Sequence, residues 1–84
     1  MSTIRITIRF FAAARDLAGC ESAVREVSAN CTVADLRREL AAEFPPLASL
    51  LGHSMLAVGR AYAADAAVLD DGTEIAVIPP VSGG

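Results

Sequence analysis

The hydrophobic pattern at both ends of the chain is typical of β-strands. From Thr3 to Phe11, isoleucine or phenylalanine alternates with arginine or threonine, which predicts a half-buried strand with one solvated face. Phe11 falls on the polar side of this alternation, so we expect its ring to be exposed. Glu74 to Ile78 is an apolar run with the β-branched content of a buried strand. These are the two most apolar strands, and we place them side by side at the sheet centre.

The middle of the chain predicts one long helix among shorter strands. Thr32 and Asp35 have the spacing of a capping box, and Pro45-Pro46 ends the helix. An apolar stripe runs along it, with the charged residues mostly on the other side; the stripe consists of Val33, Leu36, Leu40 and Phe44. Weaker strand patterns occupy residues 21–29, 55–58 and 61–63. A mixed sheet of about five strands packed on one main helix is a two-layer α+β fold.

Composition and charge exclude several classes of protein. The 84 residues carry a net charge of −3, and all seven basic residues are scattered arginines, which argues against a nucleic-acid-binding surface. No apolar run approaches the roughly 20 residues that span a bilayer, and the first residues lead into a strand rather than a signal peptide. We therefore expect one cytoplasmic domain that binds neither nucleic acid nor membrane.

The side chains offer no catalytic or metal-binding set. Cys20 and Cys31 flank the second predicted strand, whose ends lie well over about 20 Å apart, whereas a disulfide needs Cα atoms within about 7 Å. With His53 as the one histidine, the cysteines are too few for a zinc site. Asp70 and Asp71 precede a glycine, and a turn explains them better than an acid/base pair. We expect no bound cofactor, no metal and no stand-alone catalytic side chains.

The most unusual feature is the C-terminal tail, Pro79–Gly84. Prolines stop strand pairing and hold the chain extended, so the six residues reach roughly 15 to 20 Å at about 3.1 Å per residue. A main-chain carboxylate with a pKa near about 3.5 is ionised and can attack an activated phosphate to form an acyl-adenylate. We predict that the Gly84 carboxylate is the reactive group. The residues that thread it into another active site are Pro79, Pro80, Val81, Ser82 and Gly83.

Two stretches carry a family resemblance. They are Phe10-Phe11-Ala12 followed by Arg15–Gly19, and the ending Asp71–Gly84, of which Pro-Pro-Val-Ser-Gly-Gly is the most specific part. Together they resemble the MoaD-type small subunit of molybdopterin synthase, a ubiquitin-like sulfur carrier. The resemblance implies a single β-grasp domain over residues 1–84 with a flexible tail at 79–84. It also implies a partner interface at Phe11, Arg15 and Ile78, and we expect Ile78 to be exposed.

The resemblance further implies a sulfur-transfer cycle in molybdenum cofactor biosynthesis. A MoeB-type adenylyltransferase uses ATP to activate Gly84, and a sulfurtransferase replaces AMP by sulfur. The thiocarboxylated tail then donates sulfur to cyclic pyranopterin monophosphate, which forms the molybdopterin dithiolene. In this family the carrier is an enzyme only as the small subunit of a heterotetramer with the MoaE-type large subunit, which supplies the catalytic side chains.

Three other functions are compatible with this C-terminal tail. A carrier for thiamine or cysteine biosynthesis has the same terminal glycines, although such carriers usually lack the preceding prolines. A ubiquitin-like modifier joins its tail to lysines of other proteins. A plain interaction module has a tail without chemistry. The mass of the C-terminal residue after activation distinguishes these functions.

Overall fold

A mixed sheet packed on one main helix makes up the part of the chain that the computed structural model describes, residues 2–59 and 61–80. The strands are β1 (Thr3–Phe10), β2 (Ser22–Ser28), β3 (Met55–Val58), β4 (Ala61–Tyr62) and β5 (Glu74–Ile78). The helices are α1 (Ala13–Ala18), α2 (Val33–Glu43) and α3 (Ala48–Leu51), with a 3-10 turn at Pro45–Leu47 before α3. The predicted α+β architecture is confirmed.

The sheet places the first and last strands next to each other. Its strand order is β2-β1-β5-β3-β4, in which β1 and β5 are parallel and the other neighbours are antiparallel. The predicted neighbourhood of these two strands is confirmed, and β5 is the middle strand. Because parallel strands end at the same edge of a sheet, Phe11 and Pro79 leave it side by side. We call this edge the exit edge.

The inner face of the sheet and the apolar stripe of α2 form the core. Ile6, Ile8, Ile75 and Val77 are fully buried, and the alternate residues of their strands point to the opposite, open face. At one end of the stripe the ring of Phe44 packs edge-on against Phe10, with ring centroids 5.4 Å apart. The core therefore fixes which side chains of β1 and β5 face outwards.

The start of α2 is held by the capping box that the sequence predicts. The Asp35 carboxylate accepts a hydrogen bond from the Thr32 amide at 3.1 Å, and the Thr32 hydroxyl accepts one from the Asp35 amide at 3.2 Å. Two amides that have no partner within the helix are thereby satisfied. No helix in the described residues is long and apolar enough to cross a membrane.

Arg37 does more than face solvent from α2. Its Nη1 donates to the carbonyl oxygens of Leu51 at 2.5 Å and Ser54 at 2.8 Å, and its Nε donates to Asp65 Oδ1 at 3.0 Å. These bonds tie α2 to the end of α3 and to the loop after β4. The sequence pattern alone contains no signal for this role, because its partners lie 14 to 28 positions away.

An ion pair joins the edge strand β2 to the last turn of α2. The Arg25 Nε donates to both carboxylate oxygens of Glu43 at 2.8 Å, and the guanidinium lies 6.0 Å from the centroid of the Phe44 ring. This hydrogen bonding lowers the pKa of Glu43 below its ordinary value, although partial burial opposes the effect. The charged form of Glu43 is thus favoured in the folded chain.

We expect this pair to make stability depend on pH in the acid range. A carboxyl whose pKa is lower in the folded state stabilises the fold above its unfolded pKa, and this contribution is lost as pH falls through the folded value. The free energy of unfolding from urea titrations should therefore fall from about pH 5 towards pH 3. Glu43→Gln and Arg25→Met should each flatten the same part of the profile. An unchanged slope in both variants would contradict this account.

Candidate functional site

The tail leaves the sheet from its middle strand. β5 pairs with β3 up to Ile78, which lies opposite Met55, and pairing stops where Pro79 begins. The prediction that the prolines end the strand is therefore confirmed. Pro79 is partly buried and Pro80 is exposed. The predicted threading residues Val81, Ser82 and Gly83, and the predicted reactive Gly84, lie outside the described residues.

Apolar side chains collect on the open face at the exit edge. Strand register brings them together, because Ala76 lies opposite Ala57, Ala57 opposite Tyr62, and Ile78 opposite Met55. By the alternation of β1, Phe11 points to the same face, and its amide donates to the Val77 carbonyl at 3.3 Å. We call this surface the exit patch; it consists of Phe11, Met55, Ala57, Tyr62, Ala76 and Ile78.

The large side chains of the exit patch are open to solvent. Tyr62 is 66% exposed, Met55 46% and Phe11 45%, so the predicted exposure of Phe11 is confirmed. Ile78 was expected to be exposed as well, and this is wrong in part: Ile78 is only partly exposed. The reason is its place within the sheet, where Met55 and the end of β1 flank it. Contiguous exposed apolar surfaces are typical of sites of association, which makes the exit patch the candidate functional surface.

The sequence predictions identified Phe11 and Ile78 but missed the other four members of the exit patch, which are Met55, Ala57, Tyr62 and Ala76. Met55 and Ala57 lie on the open face of β3 and Leu56 points into the core, but Ala57 is itself buried, so the exposure of these four residues does not alternate. Tyr62 belongs to a strand of two residues. Only the pairing of β3 with β5 and β4 shows that these side chains lie on the same face of the sheet as Ile78.

Charged side chains stand beside the exit patch. Arg9 and Glu74 form an ion pair of 3.7 Å across β1 and β5 on the open face. Arg15, predicted at the partner interface, lies on α1 within about one helical turn of Phe11. Its side chain is 52% exposed and lies 3.8 Å from Glu21. The structure therefore groups Phe11 with Ile78 on the open face, whereas Arg15 pairs with Glu21, which lies on the β2 side of β1.

The adjacent acids before β5 belong to a turn. The Asp71 Oδ1 accepts a hydrogen bond from the Arg5 amide at 2.8 Å, and the Gly72 amide donates to the Arg5 carbonyl at 2.8 Å. Gly72 has φ 80°, a conformation in which a side chain would be strained. The predicted turn is confirmed, and Asp71 fastens it to β1.

Both thiols are free, and the two cysteines lie at opposite ends of β2. Cys20 lies near the exit edge, because the Phe10 amide donates to the carbonyl of the next residue, Glu21, whereas Cys31 lies at the far end. Cys31 helps to line an open depression of about 520 Å³ next to Ser28, and Ser28 pairs with Thr3 at the far end of β1. At about 3.3 Å per residue, this end is roughly 20 Å from Phe10. Burial, followed by the nearby Glu39 carboxylate, raises the pKa of the Cys31 thiol. A raised pKa disfavours the thiolate that a sulfur-transferring cysteine needs.

Residues 8–84 match the ThiS family. This chain belongs to the ThiS family. It is 32% identical over 83 residues to a molybdopterin synthase sulfur carrier subunit of Arabidopsis thaliana, which covers 99% of this chain and 86% of the relative. It is 35% identical over 92 residues to small archaeal modifier protein 3 of Haloferax volcanii, covering 96% of this chain and 100% of the relative. The predicted resemblance to MoaD-type carriers is confirmed.

Two solved structures extend the comparison to the fold. The ubiquitin of Caldiarchaeum subterraneum has a TM-score of 0.69 at 20% identity and covers 99% of this chain and 100% of that one, a likeness of fold alone. Subunits 1 and 2 of the molybdopterin-converting factor of Helicobacter pylori 26695 have been solved as a protein–protein complex. The matching chain has a TM-score of 0.65 at 27% identity and covers 96% of this chain and 100% of its own length. The ubiquitin-like β-grasp fold is confirmed, and the chain is a MoaD-type sulfur carrier.

Proposed function

We propose that this protein carries sulfur in molybdenum cofactor biosynthesis, as the small subunit of molybdopterin synthase. The observation that carries the proposal is the match, over almost the whole chain, to a protein named molybdopterin synthase sulfur carrier subunit. The structure adds a tail that starts on the middle strand and an unpartnered apolar surface at its base. A carrier whose tail enters the active site of another protein would use the apolar surface for docking and the middle strand as a firm base for the tail.

The proposed chemistry takes place on the Gly84 carboxylate. One carboxylate oxygen attacks the α-phosphorus of ATP in a MoeB-type adenylyltransferase, which forms the acyl-adenylate and releases pyrophosphate. A hydrosulfide equivalent from a sulfurtransferase then displaces AMP and leaves a thiocarboxylate. The thiocarboxylate donates its sulfur to cyclic pyranopterin monophosphate, and the carrier returns with a free carboxylate. ATP is a substrate of the partner, and this chain binds no cofactor in the cycle.

The exit patch is the proposed docking surface for the MoaE-type large subunit. A related chain has been solved in a complex of subunits 1 and 2 of a molybdopterin-converting factor, which supports such a partner. Burial of Tyr62, Met55 and Phe11 would remove large apolar side chains from water, at about 1.5 to 3 kcal/mol for a fully buried one. Arg15 adds a charge at the margin, where it sets orientation more than affinity. We propose a heterotetramer with two copies of each subunit, acting in the cytoplasm.

Mass spectrometry of the intact chain tests the function. The full chain is incubated with ATP, a MoeB-type adenylyltransferase, a sulfurtransferase and its sulfur donor. We expect the mass to rise by the difference between sulfur and oxygen, and fragmentation to place the change at Gly84. The change should require ATP, which distinguishes it from methionine oxidation. An unchanged C-terminus, with a control carrier converted in the same mixture, would overturn the proposal.

The Haloferax relative favours a second candidate function. Its name describes a protein modifier, and it matches this chain over its entire length. The same acyl-adenylate would then form an amide with a lysine of a target protein and release AMP. This chain contains no lysine, so it offers no lysine acceptor for chains of its own copies. Amide-linked conjugates, found by fragmentation of tryptic peptides that carry the tail, would favour this function over the carrier.

The two cysteines should be dispensable for sulfur transfer. We expect Cys20→Ala combined with Cys31→Ala to form the Gly84 thiocarboxylate at close to the wild-type rate, because the proposed sulfur transfer takes place on the main-chain carboxylate. The Cys31 thiol is in addition buried, and its pKa is raised. The measurement is the mass assay above, run as a time course. Loss of thiocarboxylate in a variant that still accepts AMP would show that a cysteine carries the sulfur.

A further inference from the structure

The residue after Phe11 has an unusual backbone conformation. Ala12 has φ 51° and ψ −127°, and among the described residues it is the one non-glycine residue with positive φ. This region of the backbone map suits glycine, and a residue with a Cβ atom is strained there. The Ala12 side chain is exposed, so burial of its methyl group does not offset the strain.

The strained residue reverses the chain in a single step. Before it, the Phe11 amide donates to Val77 at 3.3 Å and continues β1 along β5. After it, the Ala14 amide donates to the Phe11 carbonyl at 3.0 Å and the Arg15 amide to the Ala12 carbonyl at 3.1 Å, which starts α1. Ala14 is fully buried in the core, whereas Phe11, three positions earlier, lies on the open face.

With a relaxed backbone at Ala12, the chain could not keep both Phe11 on the open face and Ala14 in the core. With negative φ the reversal needs more residues, so either Ala14 leaves the core or Phe11 leaves its place beside Ile78. The packing of Ala14 and the hydrogen bonds of α1 hold the chain in place after Ala12. Strain that surrounding structure maintains in this way is found at functional positions.

We propose that Ala12 is a positioning residue for docking: its positive φ holds the Phe11 ring on the exit patch. This inference rests on the proposed function, because it concerns the same docking surface. Ala12 itself need not touch the partner. Its effect on affinity passes through Phe11.

Three substitutions and one control separate positioning from general stability. Ala12→Gly keeps the conformation without strain, and Ala12→Val adds a β-branched side chain that disfavours it. Phe11→Ala removes the ring. Ala13→Val makes the same change one residue later, at a helical position. If Ala12→Val does not fold, Ala12→Leu takes its place, since an unbranched Cβ adds less strain.

Affinity for the molybdopterin synthase large subunit is measured by calorimetry below the unfolding temperature of every variant. We expect Ala12→Gly and Ala13→Val to bind within about twofold of wild type, and Ala12→Val to bind about tenfold more weakly. In the Phe11→Ala background, Ala12→Val should lower the affinity by less than about twofold, because the effects of two substitutions that act through the same contact do not add. Equal losses in both backgrounds, or no loss from Ala12→Val, would overturn the inference.

A measurement on the free chain tests whether Ala12 positions the Phe11 ring, independently of whether the chain binds the large subunit. Nuclear Overhauser effects between the Phe11 ring and the Ile78 methyl groups report where the ring lies without any partner. We expect them in wild type and Ala12→Gly and expect them to be lost in Ala12→Val. If they persist in Ala12→Val, Ala12 does not position the ring, whatever the binding data show. If wild type fails to bind the large subunit, the proposed docking is what fails.

Discussion

Deletion of Gly84 is expected to abolish molybdopterin formation by the reconstituted synthase while binding to the large subunit stays largely intact. Removal of one residue withdraws the terminal carboxylate by about 3.3 to 3.6 Å. A misplacement of about 1 Å at a reacting group can cost about 10²-fold in rate, so we expect at least that loss. The exit patch is untouched by the deletion, so docking should persist. The measurements are molybdopterin yield and affinity by calorimetry.

The matched control for the deletion is Ser82→Ala, which changes a tail side chain and keeps the tail length. We expect this variant to retain most of the activity, because the tail acts through its length and its terminal carboxylate. A Gly84 deletion that still forms molybdopterin would show that the reactive group lies elsewhere in the chain. Equal losses in both variants would instead indicate that tail side chains contribute contacts of their own.

Ile78→Asp is expected to weaken docking to the large subunit by at least about tenfold, and more than it destabilises the fold. Docking would bury the new carboxylate in an apolar contact, where an unpaired charge is costly. A tenfold change corresponds to about 1.4 kcal/mol, which is less than the burial of one isoleucine side chain contributes. Since Ile78 points away from the core, the free chain should still fold. Calorimetric affinity and thermal unfolding by circular dichroism measure the two effects.

Two control variants test this prediction, one at an exposed position and one at a buried position. Val24→Asp makes a similar change on the open face of β2, where Val24 is 52% exposed, and it should leave affinity unchanged. Ile75→Asp makes it at a fully buried position of β5 and should unfold the chain. Wild-type affinity in Ile78→Asp would remove the exit patch from the proposed interface. Unfolding of Ile78→Asp before any loss of binding would show that Ile78 serves the core.

The two predictions concern the C-terminal tail and the exit patch. Local sequence signals identify the tail but only some residues of the exit patch. The prolines after β5 identify the start of the tail, because a missing amide and a fixed φ act on the residue itself. The exposure of Phe11 follows from the period-two alternation of β1. The partial burial of Ile78 does not follow from its own segment, because it depends on Met55 across the strand pair, 23 positions away in the chain.

The sequence by itself determined the strands at the two ends, the capped helix between them and the tail with its terminal glycines. Each of these results from interactions between residues a few positions apart, where alternation, capping spacing and proline geometry act. The tertiary structure decided which open surface adjoins the tail, the bonds of Arg37 to α3 and the strained φ of Ala12. These depend on strand register and on packing between distant segments, and no local pattern encodes either one.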